Sequence, residues 1–172
     1  MARRVKLTDF QRALSARLAE AANRQAAPSN RLGVTTGQRQ WLLRLDQAGE
    51  VLFPPEIYEV PLTASWFRGV ANVRGHLVSV VDWSEFCGGT PAALNYRSRV
   101  VLLPERMNVP AGLLVGTVSG LRNLDALERV SDAAGTTRWT VATWRDADGR
   151  IWEEVDLAQM VEDASFLRVE AA

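Results

Sequence analysis

Reactive side chains are scarce in this sequence. Its 172 residues include one histidine, His76, one cysteine, Cys87, and one lysine, Lys6. A lone cysteine excludes an intrachain disulfide and a cysteine-rich metal site. One histidine among scattered carboxylates gives no metal-ligand spacing, so no metal or other cofactor is expected. Nor is there a convergent nucleophile, base and orienting group for covalent or acid/base catalysis. Lys6 follows no glycine-rich loop, which excludes a P-loop. Asp146-Ala147-Asp148-Gly149 resembles the start of a calcium loop, but its twelfth position would be Val155, which has no carboxylate to give. Charge of one sign is missing too: 20 basic and 20 acidic residues cancel, against nucleic acid as the main partner. Eighteen apolar residues never occur together, so no membrane insertion is expected. The basic Met1 to Leu7 leads into no run of signal-peptide length, which points to the cytoplasm.

What is present is enough apolar sequence, 47% of the chain, for one globular domain or two small lobes sharing an interface. The zero net charge hides a gradient. Residues 1–31 hold seven basic and two acidic side chains, whereas Asp146 to the end holds eight acids and two arginines. Within 1–28 a helix is expected, opened by a capping box with Thr8 as N-cap and Gln11 three residues later. Phe10, Leu14 and Leu18 form one apolar stripe on it. Pro28-Ser29-Asn30 ends it. The stripe is suited equally to packing on the body of the protein and to meeting a partner.

From Asn30 the periodicity becomes strand-like. Leu32-Val34, Trp41-Leu43-Leu45, Val51-Phe53 and Ile57 alternate with polar residues. Pro54-Pro55 forbids a central strand at that point. Further strands are expected over Arg99 to Leu103, Gly112 to Val115, Val118 to Leu124, Trp139 to Arg145 and Arg150 to Glu154. Asp148-Gly149 is a hairpin signal. A last helix is expected over Val155 to Ala164, with Leu157, Met160 and Val161 on one face. Many short strands without alternating helices predict an all-β, barrel-type architecture.

The most telling stretch is Trp66 to Asp82, which reads as two apolar strands joined at Arg74-Gly75, followed by a short helix from Trp83 to Cys87. Glycine takes positive φ without steric cost, leaving the Arg74 side chain at an exposed corner. Gly69-Val70-Ala71-Asn72-Val73-Arg74-Gly75, then the strand Leu77 to Val81 closed by Asp82, resembles the CheW family of chemotaxis adaptors. Within it, the Val-Ala-Asn-Val-Arg-Gly wording is most similar to the adaptors of type IV pilus signalling, the PilI type. The resemblance implies two packed five-stranded β-barrels with strands crossing between lobes, placed over residues 30–166; the helical segment 1–28 is then an extension to the minimal family domain, and 167–172 a tail. It implies no catalysis. It implies two partners, the regulatory domain of a CheA-like histidine kinase and the cytoplasmic signalling tip of a chemoreceptor, with recruitment to membrane-associated receptor arrays.

Under that resemblance the expected partner-binding residues are Arg74, Asn72, Val70, Gly75, Trp66 and Phe67. Each has an ordinary alternative. Asn72 could satisfy backbone groups in a bent strand and be mainly structural, Arg74 could pair with Glu50 or Asp82, and Trp66 and Phe67 could fill a core. A different class of function, an OB-type barrel for single-stranded nucleic acid, would use strand aromatics and Arg97-Ser98-Arg99. Zero net charge and a single lysine speak against it.

Overall fold

A computed structural model describes residues 29–132 and 135–171. The helix expected within 1–28 lies outside the described residues. The alternation read from the sequence becomes a series of strands: β1 (Asn30–Thr36), β2 (Arg39–Arg44), β3 (Val51–Leu52), β4 (Ile57–Tyr58), β5 (Phe67–Val73), β6 (His76–Asp82), β7 (Arg99–Leu102), β8 (Ala111–Val115), β9 (Thr117–Asn123), β10 (Glu128–Asp132), β11 (Thr140–Arg145) and β12 (Ile151–Val155). They form two six-stranded sheets, ordered β10-β11-β12-β2-β1-β9 and β3-β7-β8-β6-β5-β4. The resemblance implied five strands per lobe. The two-residue pieces β3 and β4 at the edges of the second sheet, and the exposed β10 at the edge of the first, contribute to the larger count. The second sheet comes from one continuous stretch, whereas the first is assembled from both flanks of it, joined by the parallel β2–β12 pairing.

Strand geometry decides how the sheets share a core. Successive side chains point to opposite faces. Val81, Val101 and Leu113 therefore enter the seam, where they meet Val34, Trp41 and Leu43 of the first sheet. Their neighbours Val80, Val100 and Leu114 turn the other way and, with Ala71, fill a smaller core inside the second lobe. Strands buried on both faces read as continuous apolar runs, as in Val80-Val81 and Leu113-Leu114.

Among the described residues, three short α-helices accompany the sheets. Helix α1 (Trp83–Phe86) is N-capped by Asp82, whose carboxylate accepts from Glu85 N–H at 3.1 Å and from Ala92 N–H at 2.8 Å. The single helix expected over Val155 to Ala164 is two, α2 (Leu157–Val161) and α3 (Ala164–Leu167). Val155 belongs to β12, and Asp156 and Asp163 each cap a new first turn with the side chain. Leu157, Met160 and Val161 are buried together, as the spacing predicts. Residues 168–171 lie along the Leu62–Ala64 loop through backbone bonds. The Asp146-to-Arg150 turn joins β11 and β12, and Asp146 accepts from Asp148 N–H, Arg150 N–H and the Trp152 indole. Among the described residues no cluster of histidine, cysteine and carboxylates could hold a metal ion.

Candidate functional site

The β5–β6 hairpin carries the motif, and each of its fixed residues has a local job. Gly69 stands where β4 crosses closely. A Cβ there would lie 2.1 Å from the Tyr58 carbonyl oxygen, and its φ of 127° is unsuited to any side chain. Val73 pairs with His76, so the loop is the two residues Arg74-Gly75. Both have positive φ, 54° and 87°, the signature of a type I′ turn, whose twist matches the flanking strands. Asn72 Oδ1 accepts from Gly75 N–H at 2.8 Å and fixes that turn. Asp82, at the far end of β6, caps α1.

Arg74 is the exception to this economy. Asparagine, aspartate or glycine is the usual choice at the first turn position, and an arginine in the left-handed region costs about 1–2 kcal/mol. Its side chain, 74% exposed, forms an ion pair with Glu50. Exposed pairs contribute at most about 1 kcal/mol, so the arginine is not retained for stability. Glu50 is held from behind: Gly49 N–H donates to Leu102 O and Leu102 N–H to Glu50 O, both at 2.8 Å. Gly49 allows that approach because a Cβ would meet the Leu102 carbonyl at 2.8 Å. The guanidinium thus sits at a rigid corner, paired but largely in water.

Beside it opens a groove of about 480 Å³. Val78, Leu103 and Ala111 are buried in its floor, Val73, Leu102 and Val109 are half-buried, and Glu50, Arg74, His76 and Glu105 stand around it. The far wall is the turn between β7 and β8, where Asn108 takes a φ of 52°. An apolar trough edged by charges of both signs suits an amphipathic segment of another protein. The groove's far wall was not found from sequence. Its only signal there was the Asn108-Val109-Pro110 turn between two apolar runs.

The six expected residues do not all gather at this corner. Asn72, Arg74 and Gly75 do. Val70 is half-buried in mid-strand opposite Ser79. Trp66 and Phe67 lie at the other end of β5, about 20 Å away at 3.4 Å per residue. There they are half-buried against the seam core. Trp66 meets Phe86 edge-on at 4.9 Å, and Phe86 stacks on Trp139 at 5.2 Å. Cys87 follows, its thiol pKa pushed up to about 12, chiefly by burial, which leaves it without nucleophilic character.

Comparison with known proteins bears on the family and the fold. A family model described as the CheW-like domain matches residues 31–165. Protein PilI of Pseudomonas aeruginosa is 36% identical over 92 residues, which are 54% of this chain and 51% of that protein. The chain thus spans about half the length of that curated relative. The crystal structure of the scaffolding protein TtCheW from Thermoanaerobacter tengcongensis matches 80% of this chain and 95% of its own, with a TM-score of 0.66 and 19% identity. That likeness is one of fold. With the family match covering most of its length and both sheets in place, this chain belongs to the CheW-like domain family.

Proposed function

We propose that this protein is a non-catalytic adaptor that couples a chemoreceptor-type protein to a CheA-like histidine kinase in the control of type IV pilus motility. The observation that carries the reading is Arg74: an arginine on a positive-φ backbone, its exposed guanidinium held at the mouth of an apolar groove by an ion pair with Glu50 that contributes at most about 1 kcal/mol. Strain kept at a surface position points to function. A helix from the receptor's signalling tip would lay its apolar face along Val78, Leu102 and Val109. It would draw Arg74 from Glu50 onto a carboxylate or backbone carbonyl of its own, in the fork geometry that lysine lacks. A second surface takes the kinase's regulatory domain. An adaptor with unequal affinity for the active and inactive arrangements then shifts kinase output without chemistry of its own.

No helix among the described residues is long and apolar enough to cross a membrane, and the protein reaches membrane-associated arrays through the receptor. The nucleic-acid reading loses support at its own residues. Arg99 lies over the Phe53 ring at 4.0 Å and Arg97 over the Tyr96 ring at 5.3 Å, so both guanidiniums that would meet phosphates are already engaged within the chain. The test is co-purification of the full chain, wild type and Arg74→Glu, with the kinase regulatory domain and the receptor signalling hairpin from the same genome. Wild type retains both, and the variant keeps the kinase while losing the receptor. Binding of neither by wild type overturns the adaptor.

A further inference from the structure

The Glu105–Val109 turn has a groove on each side. One is the Arg74 groove. The other, about 410 Å³, lies between the turn, Asp46-Gln47 and α2, and Asn108 and Val109 line both. The turn is the wall they share, and the second groove forms a trough along its back. In the second groove, half-buried Met107, Val109 and Ala158 supply the floor, while Asp46 and Glu162 stand exposed at its rim with Arg106. Its rim thus carries two carboxylates against one arginine.

The described chain begins beside this trough. Arg31 pairs with Arg44, two residues from Asp46 on the trough's rim, so the chain enters β1 at the trough's end of the sheet. The segment before it, residues 1–28, has six basic and two acidic side chains and the apolar stripe Phe10, Leu14, Leu18. Ten residues separate Leu18 from Ser29, a span of about 15 Å if helical and about 33 Å if extended. The trough is within reach either way. Other grooves fit less well: the one beside Arg97 has no carboxylate, and the one beside Arg68 has only Glu59.

We propose that residues 8–27 of the same chain dock in this trough, with the Phe10-Leu14-Leu18 stripe on its floor and their arginines toward its carboxylates, so that the segment covers the back of the turn that walls the Arg74 groove. The protein would then carry its own brace for that wall.

The test uses the full chain with Ser15→Cys, on the polar side of the stripe, bearing a nitroxide; Cys87, with its suppressed thiolate, stays unlabelled at neutral pH. Backbone amide NMR is expected to show loss of intensity at Met107, Asn108, Val109 and Ala158, recovered by adding Leu14→Asp and Leu18→Asp while all other signals keep their positions. Intensity loss centred elsewhere, or none, overturns the proposal. So does loss that persists when labelled chains without ¹⁵N are mixed with unlabelled ¹⁵N chains, which would mean docking between copies. The NMR outcome needs no receptor, so failure of the docking and failure of the adaptor reading remain distinguishable.

Discussion

The two ends of the β5–β6 hairpin use their residues in opposite ways. At the open end Trp66, Phe67 and, one residue after β6, Trp83 run into the seam. Trp83 is fully buried and meets Trp41 edge-on at 5.3 Å. At the closed end Asn72, Arg74 and Gly75 stand in water, held by one turn bond and one ion pair. Large apolar side chains at the first end stabilise by burial, about 1.5–3 kcal/mol each. The second end accepts a strained arginine with almost nothing gained inside the molecule. The difference teaches that one short motif can combine scaffold and recognition, and that the two are separable by asking what each residue does for the fold.

Substitution at the open end should have the largest effect on stability. Trp83→Ala is expected to cost about 3–5 kcal/mol, the range for emptying a large buried aromatic, visible as a lower denaturation midpoint. Gly69→Ala comes next. With the Tyr58 carbonyl in the way and a φ closed to side chains, a loss of about 1–3 kcal/mol is expected, with loosening of β4 seen as faster amide exchange at Ile57 and Tyr58. Should Gly69→Ala be neutral, the tight β4–β5 crossing is wrong.

At the closed end the expected stability change is small and its sign is informative. Arg74→Asn removes an exposed ion pair but places a residue tolerant of positive φ at the turn, so the net change should lie within about 1 kcal/mol, neutral or stabilising. A clearly destabilised Arg74→Asn would mean that the arginine serves the fold and would erase the contrast between the two ends.

The smallest effect concerns pH, at neither end. The Asp46 carboxyl is held below its usual range, first by its hydrogen bond from Arg44, and Asp163 likewise, first by the Ser165 backbone N–H. A depressed pKa in the folded state gives stability that is present above the ordinary carboxylate value and lost as pH falls through the lowered one. The melting temperature should therefore be flat from about pH 7 to 5 and decline below about pH 4. Asp46→Asn should flatten part of that decline.

Much of this was legible in the sequence because alternation and turn chemistry are local. The hairpin at Arg74-Gly75, the Asp148-Gly149 turn, the strands around Trp41 and the apolar face carried by Leu157, Met160 and Val161 follow from spacing alone. β10 did not, because Glu128-Arg129-Val130-Ser131-Asp132 is an exposed, bulged edge strand with a single apolar residue and no alternation to read. The break between α2 and α3 was hidden because the apolar spacing runs on while Asp163 caps a new turn. At the site, Arg74 and Asn72 could be singled out from their place in the motif. Trp66 and Phe67 were grouped with them by adjacency, although strand length carries them to the opposite end. Glu105, Asn108 and Val109 come from a distant loop, and only the parallel pairing of β6 with β8 brings that loop beside the corner.

The most direct test of the account takes one variant, Arg74→Asn, and measures its unfolding free energy and its affinity for the receptor signalling hairpin on the same preparation. The account predicts stability equal to or above that of the wild type and receptor binding weakened at least about tenfold, as expected for a lost charge-assisted contact of roughly 1.4 kcal/mol or more. Unchanged binding, with stability reduced, would contradict it.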